Sequence, residues 1–249
     1  MCYSADASPP YPGFHVGGGA PEIGDLVLTS ADGTRFGAYF AMASAPTGVG
    51  MVILPDVRGL HDFYKELAQR FAEIGIDAIA FDYFGRTAGI GARGEEFAYR
   101  EHVEKLDWSL VDEDAKVAAE YLRSPAGGEV RSIFTVGFCF GGAMSWRQSA
   151  AGYGIDGAIG FYGQPARTRS VMADMKAPLL LLVAGADFTP LEEFEKFSGE
   201  LTEAGVVHRM KVYEGAPHSF FDRTFAEHAE ACQDAWAQIL EFVRANKTE

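Results

Sequence analysis

The stretch that most constrains this chain is residues 131–146, RSIFTVGFCFGGAMSW. Its β-branched and aromatic residues predict a buried strand, and the residues after Gly141 predict a helix. Cys139 lies at the junction, with Gly137 and Gly141 two residues to either side. A side chain at the tip of such a turn needs neighbours with almost no side chain, because the backbone is strained and closely approached. The pattern predicts a cysteine presented at a sharp bend, where a helix N-terminus favours the thiolate; the alternative is a small buried cysteine beside a glycine-rich turn.

Composition limits the class of protein and the class of partner. The chain has 249 residues, 48% of them hydrophobic, which is enough for one sizeable core. A formal net charge of -14 and a pI near 4.8 argue against nucleic acid and anionic membrane surfaces as partners, because both would repel the chain. We therefore expect a small-molecule partner. The oligomeric state stays open between a monomer and a homodimer, which an unpaired edge strand near the N-terminus could support.

The cysteines indicate a reducing compartment. Cys2, Cys139 and Cys232 are odd in number and lack the spacing of paired or metal-ligating cysteines. No apolar run approaches the roughly 18 residues of a membrane span, and prolines and glycines occupy the N-terminus where a signal peptide would need an apolar segment. The cytoplasm is the expected location, and no metal or other cofactor is expected.

Strand and helix patterns alternate along the chain. Apolar-polar alternation over residues 23–29 and 34–41, around Asp32-Gly33, predicts an antiparallel hairpin. Short apolar runs predict strands and 3.6-residue periodicity predicts helices; the strands fall at 49–54, 76–81, 155–162, 178–184 and 206–213, and the helices at 60–74, 108–122, 191–204 and 225–244. We predict one α/β domain over residues 22–249, with a mostly parallel central sheet covered by helices on both faces.

Two segments fall outside this alternation. Residues 1–21 are rich in Pro, Gly and Ser, which predicts an irregular segment lying over the surface. Residues 82–107 read as a loop with a short helix near 95–105, which is too short for a large cap domain.

An acid and a base candidate follow two of the later strands. Asp187 comes just after the apolar run LLLLVAGA, and His218 follows the strand that ends near Tyr213. Functional groups of an open α/β sheet gather at the carboxyl ends of its strands, and the order cysteine, aspartate, histidine matches that of α/β hydrolases. Taken singly, the aspartate could be a turn former or helix cap and the histidine a solvated loop residue. The other histidines fit worse: His15, His61, His102, His208 and His228.

The chain resembles the dienelactone hydrolase family, the cysteine branch of the α/β hydrolases. The most specific motif is GFCFGG at residues 137–142. It is supported by LPDVRGL at 54–60, FDYFGR at 81–86, GADFTP at 185–190 and GAPHSF at 215–220. The resemblance implies an α/β-hydrolase fold and a hydrolase of esters or lactones.

The resemblance also implies a mechanism. Cys139 would attack an ester carbonyl to form a thioester, His218 would act as the base, and Asp187 would orient His218. The backbone N–H groups of Val57 and Phe140 would form the oxyanion hole.

The substrate side of the site departs from the family pattern. Asp56 stands where a glutamate usually contacts the resting thiol, so it is a candidate for that contact or else a loop-turning residue. Arg86 matches an arginine that pairs with a substrate carboxylate. Asp222 occupies the position of a second arginine, which weakens the case for a dienelactone, and Arg58 is a candidate to compensate. The other candidates for substrate contact are aromatic: Tyr83, Phe138 and Phe221.

Two other classes of protein remain open at this point. In a thiol redox protein, Cys139 would be oxidised rather than acylated. Such a protein needs a resolving thiol, but neither Cys2 nor Cys232 lies near Cys139 in sequence. A non-catalytic ligand-binding homologue usually lacks part of the triad, whereas all three members are present here. The sequence leaves the natural substrate open among dienelactones, aryl or alkyl esters and activated phosphorus esters.

Overall fold

Eight strands form one sheet in a computed structural model, which describes residues 3–4, 6–14 and 21–248. The strand order is β1-β2-β4-β3-β5-β6-β7-β8, with β1, β2 and β4 joined antiparallel and all other neighbours parallel. The strands are β1 Glu22–Thr29, β2 Arg35–Met42, β3 Val49–Leu54, β4 Ile76–Phe81, β5 Ser132–Phe138, β6 Gly157–Phe161, β7 Leu179–Ala186 and β8 His208–Pro217. The predicted N-terminal hairpin and mostly parallel sheet are confirmed.

Helices cover both faces of the sheet. They are α1 Asp62–Glu73, α2 Gly85–Ala88, α3 Tyr99–Val103, α4 Trp108–Arg123, α5 Phe140–Arg147, α6 Leu191–Glu203 and α7 Ala229–Asn246. Helices α1 and α7 pack on one face, while α4, α5 and α6 pack on the other. Strand β7 shows the reason, because its apolar side chains alternate between the two faces and each set needs a cover.

Strands β7 and β8 are longer than the sequence pattern predicts. The expected ends were residues 184 and 213, but pairing continues past an irregularity to Ala186 opposite Pro217. The run of apolar residues ends before the backbone pairing does, because Gly215, Ala216 and Pro217 are residues typical of loops. This extension places the next residues of both strands side by side.

The N-terminal segment has no helix or strand over residues 3–4 and 6–14, and some of its side chains are buried while others are exposed. Tyr3 is only 2% exposed and stacks on Phe63 with ring centroids 3.9 Å apart. The indole N–H of Trp236 donates to the carbonyl of Pro10 at 3.0 Å. The burial comes from contacts of aromatic rings, which the Pro- and Gly-rich composition of the segment does not indicate.

The segment between β4 and α4 contains only the short helices α2 and α3, so the described residues form no large cap. Among the described residues, no helix combines the length and the apolar character needed to cross a membrane.

Candidate active site

The turn between β5 and α5 has the strained geometry that its glycines predict. Cys139 has φ 56° and ψ -116°, and it immediately precedes α5. A side chain at Gly137 would place its Cβ 1.9 Å from the carbonyl oxygen of Gly141. A Cβ at Gly141 would lie 2.1 Å from the carbonyl oxygens of both Leu54 and Pro55. Only glycine fits at either position, so the two glycines hold the cysteine at the tip of the bend.

The thiol of Cys139 is partly accessible at the N-terminal end of α5. Its backbone N–H donates to the carbonyl of Phe161 at 3.1 Å, which ties the turn to the end of β6. Cys232, in contrast, is 2% exposed, and burial raises the pKa of its thiol to about 11. Cys2 lies outside the described residues.

Asp187 and His218 lie side by side at the carboxyl ends of β7 and β8. Because Ala186 pairs with Pro217, each residue is the first beyond that pair. The Nδ1 of His218 is 2.7 Å from Oδ2 of Asp187. The other carboxylate oxygen accepts the backbone N–H of Thr189 at 3.1 Å. The carboxylate is therefore fixed on both sides, as an orienting group must be.

Aromatic rings hold the imidazole of His218 in place. The ring centroid of Tyr162 lies 4.7 Å from that of His218, and the ring centroid of Phe188 lies 4.4 Å from it. Tyr162 also lies 6.3 Å from Phe138, the residue before Cys139. The side chain of Tyr162 thus connects the histidine loop to the cysteine turn.

The loop after β3 packs against the same turn. The hydroxyl of Tyr83 donates to the carbonyls of Pro55 and Asp56, and the hydroxyl of Tyr64 accepts the N–H of Asp56 at 2.8 Å. Neither the N–H of Val57 nor that of Phe140 donates to an atom of the described part of the chain. The two N–H groups predicted to bind an oxyanion are available for one.

The carboxylate of Asp56 is completely buried and contacts other residues of its own loop. It accepts the N–H of Arg58 at 2.7 Å, and its Oδ2 lies 3.4 Å from the guanidinium of Arg58 and 3.3 Å from Nε2 of His61. Burial would raise the pKa of Asp56, but His61 and Arg58 together more than offset it, so the pKa lies below its ordinary value. These contacts favour anchoring of the loop.

Arg86, which is predicted to bind a substrate carboxylate, lies in an internal ion pair. Its Nε and Nη2 each lie 2.8 Å from an oxygen of the buried Asp114, and its Nη1 contacts Asp32. The side chain is only 8% exposed. A guanidinium already paired in this bidentate way has no second fork to offer a substrate.

The three aromatic residues predicted to line the pocket belong to the core. Tyr83, Phe138 and Phe221 are all 0% exposed. Phe138 stacks on Phe161 with centroids 4.6 Å apart, and Tyr83 holds the loop after β3 through its hydroxyl. Residue type alone does not separate a pocket wall from a core, because large aromatic residues serve both.

Sequence reasoning missed Arg167. It lies in a single 3₁₀ turn, Pro165–Arg167, after β6. Its guanidinium carbon is 5.3 Å from the ring centroid of Phe140 and 5.2 Å from that of Trp108. No motif or spacing marks this arginine, because what brings it to the cysteine turn is the pairing of β5 with β6.

A cavity of about 490 Å³ lies beside the loop after β3, and Arg58, His61 and Arg93 are among its lining residues, whereas Cys139 is not. Its lining mixes both signs of charge, with Asp6 and Glu95 opposite the cations. Across the described ranges, no group of three or more His, Cys, Asp and Glu residues is arranged to hold a metal ion.

Known proteins resemble this chain over most of its length. A curated relative from Salmonella typhi, named "Putative carboxymethylenebutenolidase", is 27% identical, covering 96% of this chain and 94% of its own. The crystal structure of a "Putative Dienelactone Hydrolase" from Klebsiella pneumoniae subsp. pneumoniae MGH 78578 superposes with a TM-score of 0.77 at 24% identity, over 90% of this chain and 98% of its own. That of a dienelactone hydrolase-like promiscuous phosphotriesterase from metagenomic libraries gives 0.76 at 22% identity, over 92% of this chain and 100% of its own.

These superpositions confirm the predicted α/β-hydrolase fold. A sequence profile of the dienelactone hydrolase family matches residues 36–246, which include the cysteine turn and both members of the Asp187–His218 pair. The chain therefore belongs to the dienelactone hydrolase family.

Proposed function

We propose that this protein hydrolyses carboxylic esters or lactones through a Cys139–His218–Asp187 triad and a thioester intermediate. The observation that carries the proposal is the 2.7 Å contact between Asp187 and His218, at the same edge of the sheet as the strained cysteine turn. Family membership supports the reaction class. The odd number of cysteines, and the lack of the spacing typical of paired cysteines, support a reducing compartment such as the cytoplasm.

The first half of the reaction uses His218 as the base. The carboxylate of Asp187 accepts a hydrogen bond from the N–H at Nδ1 of His218, which leaves Nε2 to take the thiol proton of Cys139. The sulfur then attacks the ester carbonyl, and a carbon–sulfur bond forms. When the tetrahedral intermediate collapses, the carbon–oxygen bond breaks and the imidazolium gives its proton to the departing alkoxide.

The second half returns the enzyme to its starting state. Water attacks the thioester while His218 takes a proton from it, the carbon–sulfur bond breaks, and the proton goes to sulfur as the acid leaves. The N–H groups of Val57 and Phe140 would hold the oxyanion in both halves, and loss of one such donor typically costs ~10²-fold or more in rate.

Turnover of p-nitrophenyl acetate by the wild-type protein and by Cys139→Ala tests the proposal. We expect turnover that iodoacetamide abolishes, an acetyl adduct on the Cys139 peptide after rapid acid quenching, and no turnover by the variant. Wild-type rates from the folded Cys139→Ala variant would exclude the triad.

The same measurements separate the two alternatives. A thiol redox protein or a non-catalytic binding protein would show a titratable Cys139 without turnover. The redox alternative also needs a resolving thiol, and the buried Cys232 with its raised pKa is a poor one.

The substrate class can be identified by measuring turnover of a panel of aryl esters, alkyl esters, lactones and phosphotriesters. Phosphotriesters are included because one structural relative is named as a promiscuous phosphotriesterase. With Arg86 already paired to Asp114, a carboxylate-bearing dienelactone has no predicted arginine left except Arg58.

A further inference from the structure

Arg167 is exceptional among the arginines of the described residues. It is half-buried, and it forms no ion pair with any carboxylate of residues 3–4, 6–14 and 21–248. Arg123 is also half-buried without a carboxylate, but it donates to the carbonyls of Tyr153 and Gly154. Every other buried or half-buried arginine there contacts a carboxylate: Arg58, Arg70, Arg86, Arg93, Arg147, Arg169 and Arg209.

The side chain of Arg167 is held in a fixed position. Its Nε donates to Oε1 of Gln164 at 2.8 Å, and the guanidinium lies near the rings of Trp108 and Phe140. Planar, weakly hydrated guanidinium groups bind well against aromatic rings. With Nε occupied by Gln164, the two terminal nitrogens remain for another partner.

That partner lies at the cysteine turn. The guanidinium of Arg167 lies against the ring of Phe140, which directly follows Cys139 and begins α5. Phe140 and Cys139 pack in the same apolar cluster. Burial lowers the pKa of Arg167, and a negative charge on Cys139 would act in the opposite direction.

We propose that Arg167 is a positioning residue whose guanidinium stabilises the thiolate that Cys139 forms when it loses its proton to His218. The inference rests on the proposed function, in which that thiolate is the nucleophile. The net charge of -14 makes a further negative charge on the chain unfavourable. A cation close to Cys139 would therefore favour formation of its thiolate.

Other titratable groups surround the thiol and must be kept constant in a test. His218 and Asp187 approach from the ends of β8 and β7. Asp56, with Arg58 and His61, lies in the loop after β3, which packs against the start of α5. None of these groups is altered by a substitution at Arg167.

The experiment measures the rate of alkylation of Cys139 by iodoacetamide from about pH 5 to 10. Iodoacetamide is neutral, so the charge at residue 167 does not attract or repel it. Mass spectrometry of the Cys139 peptide excludes Cys2 and Cys232 from the signal. The variants are Arg167→Met, Arg167→Gln and Arg167→Lys.

We expect the midpoint of the alkylation profile to rise by about one pH unit in Arg167→Met and Arg167→Gln, because an opposite charge near a thiolate favours it by that order. Arg167→Lys should recover part of this shift. Arg169→Met is the matched control: it removes one positive charge from the next 3₁₀ turn, where Arg169 is paired with Glu193 and Glu200, and its midpoint should stay at the wild-type value.

An unchanged midpoint in whichever of the Met and Gln variants is folded would overturn the proposal. A second measurement compares kcat/KM for 4-acetoxybenzoate and its neutral methyl ester. If Arg167→Met loses activity only toward the anion, with the midpoint unmoved, the residue binds substrate and the proposal is wrong. Failure of the proposed function is separate, because it would appear as retained turnover in Cys139→Ala, whatever the alkylation profile.

Discussion

Two carboxylate–histidine contacts lie at the carboxyl edge of the sheet, and they differ in what else each carboxylate touches. Asp187 lies 2.7 Å from His218, and its second oxygen accepts a backbone N–H. Asp56 lies 3.3 Å from His61, but it shares that histidine with Arg58, whose guanidinium is 3.0 Å from the same Nε2.

The difference separates an oriented histidine, which we propose to be the base, from a cluster that holds a loop. The histidine partner of Asp187 uses Nδ1 for the carboxylate, which leaves Nε2 for chemistry. His61 presents one nitrogen to both neighbours, and that nitrogen cannot accept from Arg58 and donate to Asp56 at once. Proximity of an acid to a histidine therefore does not define a catalytic pair.

Replacing the histidines should give the largest contrast. His218→Gln should lower kcat/KM by about 10⁴-fold or more, because the base and the nucleophile act as a unit. His61→Gln should stay within about fivefold of wild type and instead lower stability by about 1 kcal/mol. Steady-state ester hydrolysis with thermal melts checks both, and comparable losses of activity would remove the distinction between the pairs.

Replacing the carboxylates should give the next largest contrast. Asp187→Asn should lower kcat/KM by roughly 10³- to 10⁴-fold, because an amide cannot hold the correct histidine tautomer or stabilise its cation. Asp56→Asn serves as the matched control at the same edge of the sheet, and the same assay measures both. A deeper loss in Asp56→Asn than in Asp187→Asn would reverse the assignment.

Asp56→Asn should lower the free energy of unfolding by about 1–3 kcal/mol, because the buried partners in its loop lose a charged acceptor. Urea unfolding measures this effect. Alkylation of Cys139 in the same variant tests the thiol-contacting role predicted from the family pattern. A shifted pH profile would support that role, and an unchanged profile would restrict Asp56 to holding the loop.

The smallest expected effect is a pH dependence of stability. The pKa of Asp56 is lowered in the folded protein, so its stabilising contribution is complete above the ordinary carboxyl pKa of about 4. It is lost as the pH falls through the lowered folded pKa. Wild type and Asp56→Asn should therefore differ in unfolding free energy near pH 6 and converge below about pH 4; a constant difference would contradict the ionised state.

The sequence predicted well wherever the cause is local. The turn at Cys139 is decided by steric contacts that involve Gly137 and Gly141, and both glycines are visible within five residues. Asp187 and His218 were found because each follows an apolar strand. The family resemblance implied that Asp187 would orient His218, but the 2.7 Å distance between them depends on the pairing of Ala186 with Pro217, past the predicted ends of β7 and β8.

The sequence says least about partners that are distant along the chain. Arg86 lies in a motif of the family, yet its guanidinium is paired with Asp114, which is 28 residues away in sequence. Arg167 belongs to no motif, yet its half-buried guanidinium lies 5.3 Å from the ring centroid of Phe140, the residue after Cys139. Whether a charged side chain is available depends on which carboxylates packing brings to it.

The sequence by itself determined the order of strands and helices, the strained cysteine turn and the residues that follow each strand, because these arise from backbone sterics and apolar periodicity over a few residues. Only the tertiary structure decided how far each carboxylate lies from its histidine, which arginine is already paired, and which aromatic rings lie in the core. Those outcomes depend on burial and charge pairing between segments that are distant along the chain, and no local pattern records them.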